Sequence, residues 1–532
     1  MKTWWFCSIY LHVMMRLCRF IVVGGEGIGF MNTTDDESLR DIRRRRARAR
    51  APRRDMPLDD DALVALRRAC ARVSTSRDAL DAASGDMGAH ARARPDAVAT
   101  PTTTAEAAAL VRECARRRIA VVPRGAGTGL EGGCVAHAGG VVVDTSALRG
   151  VEVFAADGVA RVGAGVKKSE LNAALKPHGF QFGPDPSSNP SIGGMASTGG
   201  SGLSTLKYGT SKENIRSMVV VTPDGSVVRT RAEVRKSSTG YELNALYLGA
   251  EGTLGIITEL TVRLVPLPKA RCGAVVRFRD VGSAGKTVAE ATAMNLTTLL
   301  RCELMNDEGI KVTNVVFKTN LPCEPTLFLE FVGNRNEEMF ADWDAFLARA
   351  IANGSTSHTF AKDGAELDEL WDARRGCYLG AMRYRGLEAG TKAKEKVYVG
   401  DVCVPPSKLA ECISVTEHEF KKARFPCVIC AHIADGNFHC LIPFQERERA
   451  ALIALEDKVI GNAIQMGGTA SGEHGVGIGK QKYIIQEHGI AHIDIQRRIK
   501  RALDPHNIMN PGKIISWDPS DTERARPRAS RL

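Results

Sequence analysis

His432 and His439 flank Ala434-Asp435-Gly436-Asn437, each within or beside an apolar run. An Asp-Gly turn between two runs of strand-forming residues reads as a β-hairpin. Pairing Ile433 with Phe438 across that turn sets the two histidines opposite each other on one face, with Cβ atoms about 5 Å apart. Two imidazoles so placed can share a cation, whereas a lone histidine is more often a satisfied core residue. Downstream, Ser471-Gly472-Glu473-His474-Gly475-Val476-Gly477 offers a carboxylate and a third imidazole in a tight, backbone-open turn. Glu473 then completes a two-histidine, one-carboxylate set with positions left open for a substrate, as in catalytic zinc, manganese or iron sites. His474 stays free to act as a base.

Three glycine-rich stretches could hold a phosphate-bearing cofactor. Pro123-Arg124-Gly125-Ala126-Gly127-Thr128-Gly129 follows a β run, and alternating glycines there let backbone amides approach an anion. It lacks the Gly-Lys-Ser/Thr ending of a Walker loop and is not a clean G-x-G-x-x-G; alone it is as consistent with a plain turn. The second, Gly183 to Gly202, includes Gly193, Gly194, Ser197, Thr198, Gly199 and Gly200, and reads as a long functional loop rather than a connection. The third, Gly249 to Thr258, carries Glu251, Gly252 and Ile257 and leads into a β run.

Around these stretches the pattern is mixed α and β. Residues 55–95 read as a helical lead, Ala107 to Arg118 as a helix capped by Thr104, and Ile119 to Val122 and Gly140 to Asp144 as strands. Lys168 to His178 reads as one helix. Pro266-Leu267-Pro268 interrupts the chain and sets a domain boundary. The expected organisation is a leader over 1–54, a first domain over 55–267 including the lead, a second over 268–515, and a flexible tail over 516–532.

In this order and separation the three loops resemble the flavin domain of the vanillyl-alcohol oxidase (FAD-binding type 4) superfamily. The resemblance implies an α+β protein: a PCMH-like FAD-binding domain, then an α+β cap domain with an antiparallel sheet and a C-terminal helical segment. It implies that Arg124 to Gly129 cradle the FAD pyrophosphate and that Gly193, Gly194 and Ser197 to Gly200 line a second phosphate-facing loop. Glu251, Gly252 and Ile257 would pack on the adenosine side, and Asn510 would face the flavin. No histidine occupies the first loop, where covalently flavinylated members carry one, so non-covalent FAD is implied.

The histidine motifs are similar to those of the superfamily's D-2-hydroxy-acid dehydrogenases, His-x-Gly-Asp-Gly-Asn-x-His followed by Gly-Glu-His-Gly, with Ala434 as the one departure. With Asp401-Val402-Cys403-Val404-Pro405, the pattern resembles the FAD-dependent D-lactate dehydrogenase group, from about Ala97 to Ile515. The resemblance implies that His432, His439 and Glu473 hold a divalent metal, with zinc first and manganese or iron as alternatives. His474 would be the base and Arg374 the substrate-carboxylate clamp, although as a bare sequence feature Arg374 is a surface arginine. Relatives acting on D-2-hydroxyglutarate place a lysine where this chain has Val399, so a small monocarboxylate such as D-lactate is expected, with Lys394 and Lys396 nearby. D-2-hydroxyglutarate or glycolate dehydrogenase is the alternative. A rival of another class, alkylglycerone phosphate synthase, carries a histidine-rich stretch where this chain has Gly472-Glu473-His474.

The composition fits these expectations. Of the formal charge of +11 over 532 residues, residues 1–54 carry +7, through twelve basic against five acidic side chains. The rest is close to neutral, so a nucleic-acid-binding body is excluded. The run Arg43 to Arg50 reads as a solvated, disordered segment or a targeting signal. Trp4 to Met15 is too short for a membrane span, and Met31 is an equally good start. Fourteen scattered cysteines indicate a reducing compartment, and Cys427-Val428-Ile429-Cys430 reads as part of a buried strand. Ser530-Arg531-Leu532 resembles the peroxisomal Ser-Lys-Leu address, implying an import receptor as partner, with the mitochondrion as the alternative destination. The expected electron acceptor is cytochrome c, a quinone or an electron-transfer flavoprotein. Oligomeric state stays open, a homodimer being one option.

Overall fold

The computed structural model describes residues 58–362, 366–368, 371, 374, 376–388 and 395–517. The expectations for the leader, the arginine run, Lys394 and the terminal Ser530-Arg531-Leu532 lie outside the described residues.

The first sheet has Val121–Arg124 at one edge, parallel to Val141–Asp144, which is in turn parallel to Ala97–Ala99; the short Val73–Ser74 closes the other edge. Its three parallel strands are Val/Ala-rich and buried on both faces over Ala97–Ala99, Val121, Val122 and Val141 to Val143, as parallel strands covered by helices require. The covering helix is Thr104–Arg117, whose Ala107, Leu110, Val111 and Cys114 face the core. Thr103, not Thr104, is its N-cap, accepting from the Glu106 N–H at 3.1 Å. Arg118 ends the helix in the left-handed region (φ 58°), and the Ile119 N–H is still bonded to Cys114. Pairing with the neighbouring strand therefore begins only at Val121, two residues later than the sequence suggests.

A second, antiparallel sheet is organised by the long strand Ile256–Pro266, which pairs with Val159–Gly163, Ile215–Val221 and Phe180–Phe182. The helix read over Lys168 to His178 stops at Leu175; Lys176–His178 is a 3-10 turn containing Pro177, which has no N–H to continue the α-helical ladder. The lead is only partly helical: Asp60–Ala69 and Arg77–Ala82 are helices, and residues 83–95 are irregular.

After Pro266 the chain enters an eight-stranded antiparallel sheet, ordered Ser355–Ala361, Ala270–Phe278, Thr326–Gly333, Leu299–Met305, Val428–His432, Asn437–Phe444, Lys396–Val399, with Val402–Cys403 also on Asn437–Phe444. One face packs on Val281–Ala293, Asn336–Ala352 and Pro406–Ala423 through Phe278, Phe331, Trp343, Phe346 and Phe420. Gln481–His488 and Ile490–Leu503 supply the C-terminal helical segment. Among the described residues no helix is long and apolar enough to cross a membrane.

Candidate active site

A cavity of about 480 Å³ brings together parts of the chain more than 300 residues apart: the loop after Val121–Arg124, the second and third glycine stretches, and the sheet strands that carry the histidines. The glycine loops form its wall with bare backbone. A Cβ on Gly125 would sit 2.2 Å from Ser191 Oγ, and Gly127 lies at φ 69°, where its own Cβ would meet Arg124. The second glycine stretch is not a loop throughout. Ile192–Thr198 is a short helix capped by Ser191, with Gly193 and Gly194 in its first turn facing the cavity. A long cleft lined by glycine backbone, Arg124 and apolar Ile256 and Ile257 fits a dinucleotide that carries a planar ring system.

The histidines meet in a register different from the expected one. His432 pairs with Asn437 and Cys430 with His439, so the histidines are diagonal rather than opposed. The reason is the turn: the Asp435 N–H bonds to His432 O at 2.9 Å, and Gly436 takes φ 82° against Val404 O, which closes the hairpin one residue earlier on each strand. Diagonal neighbours on one face are still within reach of long side chains, and the two Nε2 atoms lie 3.3 Å apart. Ala434 keeps ordinary negative φ, so its methyl group is accommodated. Glu473 joins from the other side, with Oε1 at 3.1 Å from His439 Nε2 and 3.4 Å from His432 Nε2. Ser201, from the second glycine stretch, donates to its other oxygen. One ligand atom from each of His432, His439 and Glu473 lies within 4.8 Å of the others, a spacing that fits one cation with open positions. His474 stacks on His439 at 4.9 Å, with its Nε2 4.0 Å from Glu473 Oε1.

Two buried carboxylates support this cluster. Asp401 accepts from the backbone N–H groups of Glu473 and His474, from Ser471 Oγ and from Asn437 Nδ2, all at 2.9 Å. It thereby fixes the turn that presents Glu473 and His474. Its oxygens lie 3.6 Å from His439 Nδ1 and 3.7 Å from His474 Nδ1. Burial alone would raise the Asp401 pKa, but the neighbouring imidazoles and amides hold it well below the usual carboxylate range. Glu303 accepts from His432 Nδ1 at 2.6 Å and from Arg374 Nη2 at 2.7 Å. Burial opposes charge on His432 as well, yet Glu303 and Glu473 raise its pKa well above the ordinary imidazole value. Glu473, equally buried, is held well below its ordinary value by His432 and His439.

Every residue expected to hold the cofactor or metal or to do the chemistry lines this cavity except Gly199 and Asn510. Gly199 is the left-handed cap of the short helix (φ 68°). Asn510 does not face the cavity; its Nδ2 donates to Gly133 O at 2.9 Å and Glu251 O at 2.7 Å, tying two cavity loops together. Glu251 also has a bracing contact, its carboxylate accepting from the N–H groups of Val476 and Gly477 at 2.7 and 2.9 Å, so it clasps the turn that carries His474. Sequence reasoning missed Glu303, Ser201, and the wall formed by Tyr378, Cys430 and Leu441. Ser201 and Cys430 lie in stretches the sequence did single out, but no local signal marks their side chains as part of the site, and Glu303 has no motif around it. Val399 faces the cavity, while Lys396 is exposed and paired with Glu446 at 3.1 Å.

The comparisons agree with this architecture. Residues 95–231 match the family described as FAD binding domain, and residues 267–514 that described as FAD linked oxidases, C-terminal domain. The chain is 38% identical over 432 residues to D-lactate dehydrogenase [cytochrome], mitochondrial, of Arabidopsis thaliana, covering 79% of this chain and 73% of the relative. It is 36% identical over 437 residues to D-lactate dehydrogenase [cytochrome] 1, mitochondrial, of Saccharomyces cerevisiae, covering 80% and 74%. Its fold is that of p-cresol methylhydroxylase with substrate bound, at TM-score 0.70 and 17% identity, covering 86% of this chain and 96% of that one. The chain is thus an FAD-dependent oxidoreductase of the PCMH-like α+β fold, and it belongs to the FAD-linked oxidases, within their D-lactate dehydrogenase family.

Proposed function

We propose that this chain oxidises a small D-2-hydroxy acid, D-lactate in preference, to the 2-keto acid and passes the electrons to an external acceptor. The observation that carries this reading is the convergence of His432, His439, Glu473, His474 and Arg374 on one part of the glycine-lined cavity. In this assignment residues 55–267 form the FAD-binding domain and residues 268–515 the substrate and C-terminal domain.

Non-covalent FAD, when bound along the glycine loops, supplies the acceptor for the substrate's Cα hydride. A divalent cation, zinc first and manganese or iron otherwise, would be held by His432, His439 and Glu473 and supplies Lewis acidity that brings the hydroxyl pKa towards neutrality. His474 takes the hydroxyl proton on Nε2 while Asp401 faces its Nδ1 and fixes the turn it sits on. Arg374, anchored by Glu303 and lining the cavity, binds the substrate carboxylate through its guanidinium. Val399, Leu441 and Tyr378 offer no cation for a second carboxylate, which favours a monocarboxylate over D-2-hydroxyglutarate. Glu473 and the histidine pair in the cavity argue against the flavin-dependent transferase. The relatives named as cytochrome-linked and mitochondrial support a one-electron carrier such as cytochrome c as acceptor, and the mitochondrion rather than a peroxisome-type organelle.

Anaerobic bleaching of the flavin absorbance tests the proposal. D-Lactate should bleach it and L-lactate should not, glycolate and D-2-hydroxyglutarate should act weakly, and a chelator should abolish the response. Bound flavin that no hydroxy acid reduces would refute the reading.

A further inference from the structure

We infer that Glu303 is a positioning residue that ties the cation site to the substrate-carboxylate clamp, so that the two are held at one fixed separation. This inference rests on the metal-assisted reading above and assigns a part of it to a residue on a different strand.

Glu303 belongs to Leu299–Met305, and that strand pairs with Val428–His432 through Leu304↔Ala431 and Met305↔Cys430. One step further along, Glu303 and His432 come side by side. Its side chain is 1% exposed, and each oxygen has one partner: Oε1 His432 Nδ1, Oε2 Arg374 Nη2. An ionised carboxylate only accepts hydrogen bonds, so His432 must carry its proton on Nδ1. That choice directs the Nε2 lone pair towards His439 and Glu473, where a cation would sit. The same carboxylate anchors Arg374 through Nη2 and so sets where its guanidinium stands in the cavity wall, where the substrate carboxylate would meet it. A 2-hydroxy acid carries its hydroxyl and carboxylate on adjacent carbons, so a site gripping both needs its cation and its arginine at a set spacing. One buried carboxylate touching both provides that spacing directly, without relying on two independent supports.

The test is Glu303→Gln in the FAD-loaded protein. An amide presents one acceptor and one donor, so it can satisfy only one partner and opposes the other. Two quantities are measured: the Kd for Zn2+ or Mn2+ on the oxidised, substrate-free enzyme, by competition with a chromophoric chelator, and KM separately from kcat for D-lactate. Both the metal Kd and KM should rise, by about 10–100-fold, the usual cost of losing an outer-sphere partner, while the flavin spectrum stays that of the wild type. Glu303→Asp keeps the charge but is too short to reach both partners, and should show a smaller rise in both. It also carries the test should the glutamine variant fail to fold. A change in only one quantity, or in neither, overturns the coupling. Wild-type protein that takes up no divalent cation would instead refute the metal reading, and the inference with it.

Discussion

The parts of the cavity wall assigned to cofactor and to chemistry are built from opposite materials. The cofactor side is defined by missing side chains: Gly125, Gly127, Gly193 and Gly194 put bare backbone on the wall and let Ser191, Arg124 and Ala164 pack directly against it. The reactive side is crowded with charge: three histidines, one arginine and the carboxylates Glu473, Glu303 and Asp401, all largely buried. The first should fail when a methyl group is added, and the second when a charge is removed. In the second the damage should also spread, since each buried charge is the partner of another.

Glu473→Gln should have the largest effect. It removes the anionic member of the proposed ligand set beside His432 and His439, and kcat/KM for D-lactate should fall by about 10⁴-fold, or about 5 kcal/mol. Elemental analysis should find the metal lost and the flavin absorbance intact; undiminished turnover would break the division drawn above. His474→Ala sharpens it, because the proposed base is adjacent to the proposed ligand set but is not part of it. Activity should fall by about 10³-fold, with metal content and FAD both retained.

The legibility of the two sides differs for a related reason. The glycine loops and the Gly-Glu-His-Gly turn are contiguous in sequence, so a family resemblance could be read from them and with it the cradle and the ligand set. Glu303 lies 129 residues from His432, and only strand pairing brings them together. Asp401 stood in a recognised pattern, but its role as acceptor for the 471–474 turn depends on a contact across more than 70 residues. The hairpin was legible as a hairpin, whereas its register was set by the glycine conformation at Gly436 and the contact with Val404. Strand and helix limits shifted by one to three residues where a left-handed cap or a proline intervened, as at Arg118 and Pro177.

Glu251 links the two sides, since it lines the cofactor cavity yet grips Val476 and Gly477. Burial pushes its carboxyl from 4.5 up to about 7, against the pull of those amides. A raised folded-state pKa means that the folded protein holds a proton the unfolded chain has released. The stabilisation is therefore complete below pH 4.5 and is lost as pH rises through about 7. The span corresponds to about 3 kcal/mol. Glu251→Gln should flatten the thermal-stability profile of the apoprotein over that window, and a slope unchanged from the wild type would assign it to other groups.

The smallest effect is expected where only a methyl group is added. Gly125→Ala places a Cβ 2.2 Å from Ser191 Oγ, and that hydroxyl caps the short helix by accepting from the Gly194 N–H at 3.2 Å. The serine must rotate away, which costs about 1 kcal/mol for a lost cap and narrows the cradle. FAD affinity should fall by about tenfold, measured by fluorescence on titrating apoprotein. Saturating FAD should restore kcat, because none of the charged groups has moved. A variant that stays impaired with full flavin would show that the cofactor side also positions the reactive one, and that the division between backbone cradle and charged cluster is too sharp.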